Sequence, residues 1–193
     1  MKRSFFIIPF LVCLLGCGLK AARAGEGIYL SAADFASGKV SFENNLDDSG
    51  YKLNVHGVFD KTRVKIIVGG SVRILDKDSV FGYRDKHDAN YRFVNKDAYK
   101  ILNAPGNLLL YSKTSLDGGH KNRHVITGYY FSRDENAAVY ELTKENLIKV
   151  FYTDLRFTGL LDVYFHNDNE LTAYDSRNNK YIINYLFETS NKQ

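Results

Sequence analysis

The sequence predicts an α+β protein: an antiparallel β-meander sheet or partly open barrel, followed by short C-terminal helices. Three observations carry that expectation. The β-branched runs Val64–Val68 and Val72–Leu75 flank Gly69-Gly70-Ser71, the clearest hairpin of the chain. From Gly27 to Leu142, short apolar or alternating runs recur with turn residues between them, as sequential antiparallel strands do. At Thr143 the apolar spacing becomes helical. Strands first and helices after is the order of an α+β domain.

The hairpin has two registers. A two-residue Gly69-Gly70 loop sets Ile66 opposite Arg73 and Lys65 opposite Ile74, mixing polar and apolar on each face. A three-residue Gly69-Gly70-Ser71 loop sets Val68 opposite Val72 and Ile66 opposite Ile74. A one-residue slip exchanges the faces, so burial of one face favours the three-residue loop. Asp76-Lys77-Asp78 then turns the chain, and Ser79–Tyr83 reads as a third strand. The glycine pair lacks the Lys-Ser/Thr and the strand-to-helix setting of a phosphate loop, and reads as a turn.

Around the hairpin, Gly27–Leu30 reads as a short strand. Ser31 to Asp34 is a capping-type helix start, and Gly38 is its stop. Val40–Phe42 and Leu53–Phe59 read as strands, with Asn44–Gly50 a loop between them. Tyr91–Val94 and Ala98–Leu102 are strands joined at Asn95-Lys96-Asp97. Asn103-Ala104-Pro105-Gly106-Asn107 is a strong turn. Leu108–Ser112 and Val125–Ser132 are the next strands, linked through Thr114–Asn122, and Val139–Leu142 is short and extended. Thr143 caps one helix and Thr158 a second. Glu170–Tyr174 reads as a helical turn. Tyr181–Phe187 is strand by composition and helix by spacing.

The N-terminus reads as an export signal. Lys2-Arg3 precedes an apolar run, and Ala22-Arg23-Ala24 presents small residues for cleavage, which makes 1–24 the signal and 25–193 a single globular domain. Leu14-Leu15-Gly16-Cys17 supports a second reading: a lipoprotein signal over 1–16, a lipidated Cys17, and a tether over 17–26. Proline occurs only at Pro9 and Pro105, so no proline-rich linker divides the chain.

The export segment changes the charge argument. The chain has 26 Lys+Arg against 22 Asp+Glu, net +4. Lys2, Arg3, Lys20 and Arg23 precede Gly25 with no acidic residue among them, so residues 25–193 balance at 22 against 22. Bulk attraction to nucleic acid or to an anionic membrane surface loses its support. Both cysteines, Cys13 and Cys17, lie in the same segment. A chain cut after Ala24 holds no disulfide, thiolate nucleophile or Cys-ligated zinc. All 14 tyrosines lie after it, and tyrosine suits both half-buried sheet faces and interfaces.

Gly25-Glu-Gly-Ile-Tyr-Leu-Ser31 directly after an export signal, then Phe81-Gly-Tyr-Arg-Asp85 and Tyr129-Tyr-Phe-Ser132, resembles a family of uncharacterised exported proteins of Bacteroidota-type bacteria. The resemblance implies export and one compact domain. It implies no reaction, ligand or cofactor.

Four stretches offer chemistry. Phe81–Asp88 is the densest polar-aromatic cluster. Tyr83, Arg84, Asp85 and His87 can line a recognition loop, with Arg84 as a fork for carboxylate or phosphate and Tyr83 as a stacking surface; the plain alternative is a strand end with surface ion pairs. His120 and His124, with Asp117, are the metal candidates. Lys121 stands where an HExxH pattern needs glutamate, and solvated loop histidines are the plain alternative. Ser49 and Lys52 match the spacing of a serine–lysine pair, without the helix start and partner motifs it needs. Asp134-Glu135 reads as a turn rather than an acid/base pair, since neighbours on a strand point apart.

The sequence reading is therefore a non-enzymatic exported envelope protein, in the periplasm or anchored to the outer membrane, that binds a protein or a cell-envelope component. Nucleic acid is not expected as a partner, no cofactor is called for, and membrane contact is confined to a lipid anchor at Cys17. The alternative is a metal-assisted hydrolase built on His120 and His124.

Overall fold

The computed structural model describes residues 25–44, 50–55, 61–118 and 124–191. The stretch 1–24 with Cys17, together with Ser49, His120 and most of the Leu53–Phe59 run, lies outside them. In chain order the elements are β1 (Gly27–Tyr29), α1 (Ala32–Ser37), β2 (Lys52–Asn54), β3 (Arg63–Val68), β4 (Ser71–Asp76), β5 (Gly82–Arg84), β6 (Asn90–Val94), β7 (Asp97–Ile101), β8 (Leu109–Asp117), β9 (His124–Ser132), β10 (Tyr140–Glu141), α2 (Lys144–Val150), α3 (Leu155–Tyr164), β11 (Tyr174–Asp175), β12 (Lys180–Tyr181) and α4 (Ile182–Ser190). The fold is α+β. A seven-stranded antiparallel sheet in the order β1-β5-β6-β7-β8-β9-β10 curls into a half-barrel, and short helices follow it. A three-stranded sheet, β2-β3-β4, and the small β11-β12 ribbon complete the strands.

Side-chain alternation divides the large sheet. On one face, Ile28, Tyr83 and Phe93 meet Val64 and Ile66 of the three-stranded sheet. Leu110 and Phe131 share that face further along, where Leu147, Phe157, Leu161, Ile183 and Leu186 of the helices cover them. The opposite face holds Tyr29, Ile101, Leu109 and Tyr111 under Phe35 of α1. Burying each such side chain contributes roughly 1.5–3 kcal/mol, which is why the alternation sets the layers. No helix among the described residues is long and apolar enough to cross a membrane.

Local signals hold at several element ends. Ser31 and Asp34 form a reciprocal capping box, and Gly38 ends α1 at φ +70°. Thr143 caps α2 through Asn146 N. Asn95 and Lys96 close β6–β7 with φ of +49° and +69°, the two positive values a two-residue hairpin turn needs.

The central hairpin departs from the expected register. The loop is the two-residue Gly69-Gly70, with Ile66 opposite Arg73, Lys65 opposite Ile74 and Val68 opposite Ser71. Both glycines have positive φ, +53° and +77°, so turn geometry sets the register. Burial cannot oppose it, because β4 is an edge strand on which Val72 and Ile74 are more than half exposed. Arg73 finds its own place over the Phe42 ring, 5.6 Å from the centroid.

Other boundaries move for equally local reasons. The expected third strand is β5, but it pairs with β1 and β6 rather than with β4. A 3-10 turn at Lys77–Ser79 carries the chain from one sheet to the other, and buried Lys77 reaches Lys96 O at 3.2 Å and the Phe93 ring. Val40–Phe42 makes only a bridge, Ile28 to Ser41. β8 runs on to Asp117 where a link was expected, because Thr114, Ser115 and Leu116 pair with the β-branched Thr127, Ile126 and Val125. α3 starts one turn before Thr158: Asp154 caps it through Phe157 N at 2.9 Å, and Thr158 bonds back to Asp154 O from inside the helix. The helical turn near Glu170 is a 3-10 turn over Asp168–Thr172. Of Tyr181–Phe187, Tyr181 ends β12 and the rest is helix, since Ile183, Leu186 and Phe187 enter the core together.

Candidate functional site

The aromatic-polar stretch after β4 separates into four environments. Tyr83 is core, 4% exposed, stacked on Tyr91 at 4.6 Å and near Phe93 at 5.5 Å. Burial pushes its phenol up, with Tyr91, Asp85 and Glu26 adding to the shift. Arg84, next on the strand, points the other way: its guanidinium lies over the Tyr29 ring and its Nε donates to Asn90 Oδ1 at 3.3 Å. Tyr29 donates its hydroxyl to the same oxygen at 2.8 Å. Asp85 shapes the turn, accepting from the backbone N–H groups of His87 and Ala89. His87 is exposed at the tip. The four residues do not converge on one ligand. Arg84 and Asp85 instead fix the segment Asp88–Asn90.

The metal candidates come together only in part. Asp117 and His124 end β8 and β9 directly opposite each other, with His124 Nε2 3.7 Å from Asp117 Oδ2 and both side chains exposed. Among the described residues no group of three His, Cys, Asp or Glu could hold an ion. Lys52 is exposed on β2. Asp134 and Glu135 turn apart: Asp134 Oδ1 accepts from Asn136 N and Ala137 N, while Glu135 Oε1 accepts from Gly106 N at 2.7 Å.

A wider recess lies elsewhere. A groove of about 770 Å³ opens between Asp88–Asn90, the turn after β7, the β11–β12 ribbon and α4. Pockets of roughly 300–1,000 Å³ hold small ligands. Six asparagines line it: Asn90, Asn103, Asn107, Asn179, Asn184 and Asn191. One wall is braced by Asn103, whose Nδ2 donates to Leu108 O at 3.0 Å and whose Oδ1 accepts from Leu110 N at 2.8 Å. Leu108 is fully buried at φ +61°. A non-glycine residue there is strained by about 1–2 kcal/mol and must be held by its surroundings.

Asn184 of α4 supplies the second brace. It is 5% exposed, and its Nδ2 donates to the same Leu108 carbonyl at 2.7 Å. Its Oδ1 is buried with no hydrogen-bond partner, a state that costs about 1–3 kcal/mol. Turning the amide over would sacrifice the bond to Leu108, so the free oxygen is a fixed acceptor.

The mouth is aromatic and charge-balanced. Tyr174 and Tyr181 meet edge to face at 5.0 Å, and the Tyr174 hydroxyl bonds Asn179 Oδ1. Burial raises the Tyr181 phenol, with Tyr129 and Tyr174 contributing. Lys180 binds both carboxylate oxygens of Glu188, at 2.8 and 2.7 Å.

Sequence reasoning missed this site. Asn103, Asn107 and Asn179 stand in stretches rich in turn residues, and their type alone marks a turn. Nothing in their spacing places two distant turns and a helix side by side. No family model, no curated protein and no solved structure matches this chain.

Proposed function

We propose that the protein is a non-enzymatic exported envelope protein, free in the periplasm or anchored through Cys17, which binds a protein or cell-envelope component in the asparagine-lined groove. The observation that carries this reading is the groove itself: about 770 Å³, walled by three separate parts of the chain and braced on a strained, doubly bonded Leu108. Preorganised walls reduce the ordering cost of binding. Arg84 and Asp85 serve the site by shaping the Asp88–Asn90 wall. The export signal and the resemblance to exported Bacteroidota-type proteins support the location.

Affinity capture from envelope fractions tests the proposal. The wild-type protein is expected to retain a component that a Tyr174→Ala/Asn179→Ala variant does not. Equal capture by both, or full-length protein beginning at Met1 in the cytosol, would contradict it. The competing reading, a metal-assisted hydrolase, draws support from the opposed Asp117 and His124. Stoichiometric transition metal in the purified protein, lost on His120→Ala/His124→Ala substitution, would favour it instead.

A further inference from the structure

We infer that the groove is a carbohydrate site for a neutral oligosaccharide of roughly two to four units, the size that a pocket of this class buries. The inference rests on the binding reading above and names its ligand class. Four features of the lining converge on it.

The first is charge. Lys180 is held on both oxygens of Glu188, so the cation at the mouth is already neutralised. The other charged residue of the lining is Asp88. An anionic ligand, whether phosphate, sulfate or uronic acid, meets a carboxylate and a satisfied ion pair, an arrangement that disfavours it.

The second is hydrogen bonding. Side-chain amides both donate and accept, as sugar hydroxyls do. Asn90 and Asn179 give their Oδ1 atoms to the protein, which leaves an Nδ2 donor on each. Asn184 is spent on the wall itself: its Nδ2 is bound to Leu108 O and its Oδ1 is buried. Sugar hydroxyls can accept from the two remaining amide donors.

The third is the aromatic mouth. Tyr174 is 46% exposed and braced by Tyr181. A sugar ring presents an apolar C–H face, and the electron-rich face of an aromatic ring attracts such hydrogens. The fourth is the absence of a long strand edge from the lining. β11 and β12 are two residues each, whereas a bound extended peptide gains its affinity from a main-chain ladder.

Titration of the ¹⁵N-labelled purified protein tests the inference. The probes are neutral hexose and N-acetylhexosamine di- to tetrasaccharides, with uronic-acid oligosaccharides and uncharged tetrapeptides as comparison arms. A neutral sugar is expected to shift the amides of 103–107, 179–181 and 184–188, with little dependence on salt. Tyr174→Ala and Asn179→Ala, both at the exposed mouth, are each expected to weaken binding about tenfold while leaving the rest of the spectrum in place. No shift in these segments with any neutral sugar, or sugar binding that both variants leave unchanged, overturns the inference. Binding of a tetrapeptide or an acidic sugar in the groove instead overturns it too, but leaves the envelope-binding reading standing. Envelope capture that is insensitive to the same two substitutions sinks that broader reading separately.

Discussion

The side-chain amide of Asn184 donates to the main-chain carbonyl of Leu108 at 2.7 Å, joining α4 to the start of β8 across 76 residues. The same carbonyl accepts from Asn103 at 3.0 Å. One strained residue thus ties the last helix to the turn that walls the groove. Asn184→Ala is expected to lower stability by about 1–3 kcal/mol, toward the smaller figure because the unpartnered Oδ1 leaves with the amide. Asn184→Asp should cost more, since a buried carboxylate would face a carbonyl oxygen. Urea unfolding midpoints check the order.

Gly82 has a sharper requirement. A Cβ at this position would overlap Tyr91 O on the neighbouring strand. Gly82→Ala is therefore expected to cost about 1–3 kcal/mol by overpacking. Gly70→Ala meets nothing within 4 Å but sits at φ +77°, so its cost of about 1–2 kcal/mol is conformational. Replacing Gly70 by asparagine, which tolerates positive φ, should recover much of the loss. The same substitution at Gly82 should recover none. Thermal unfolding of the four variants separates the two causes.

Asp154 should outweigh Thr158 as the cap of α3. Asp154 accepts from Phe157 N at 2.9 Å, and its other oxygen takes Ser190 Oγ at 3.3 Å at the end of α4. Asp154→Ala is expected to cost about 1–2 kcal/mol and Thr158→Ala well under 1, because Thr158 only bonds back within the helix. Equal effects in denaturant unfolding would contradict the assignment.

These positions show what was legible in the sequence. Capping chemistry confined to four residues was readable, as at Ser31–Asp34 and Thr143, because donor and acceptor lie within one turn. Asp154 and Thr158 are both good caps by type, and only the packing of Phe157 and Leu161 chooses between them. The register of β3–β4 does not follow the burial pattern because β4 is an edge strand, whose turn decides instead. The destination of β5 depended on the 3-10 turn around buried Lys77, which residue types alone do not announce. The groove was illegible for a related reason: Asn103 and Asn184 share a partner only because the sheet and α4 fold together. Asp117 and His124 end up opposite each other only because β8 and β9 pair beyond the strands that the sequence marked, across the stretch read as a link.

Alkaline pH should expose the buried phenols. Burial raises the Tyr83 and Tyr51 phenols above their ordinary value of 10.0, with neighbouring acidic groups adding to it. Above that value the unfolded chain releases these protons while the folded chain retains them. Stability is therefore constant in this respect below about pH 10 and falls above it, each phenol at a slope below the single-proton limit of about 1.4 kcal/mol per pH unit. Tyr83→Phe should flatten the decline. Unfolding free energies measured from pH 8 to 11, for wild type and variant, check the sign.

The most direct measurement places a photo-reactive side chain at position 104, exposed in the turn that lines the groove, and another at Val163, exposed on α3. Illumination in intact cells is expected to attach an envelope component at 104 and not at 163, and Tyr174→Ala should diminish the product. Equal labelling at both positions, or none at 104, would contradict the groove as the binding site.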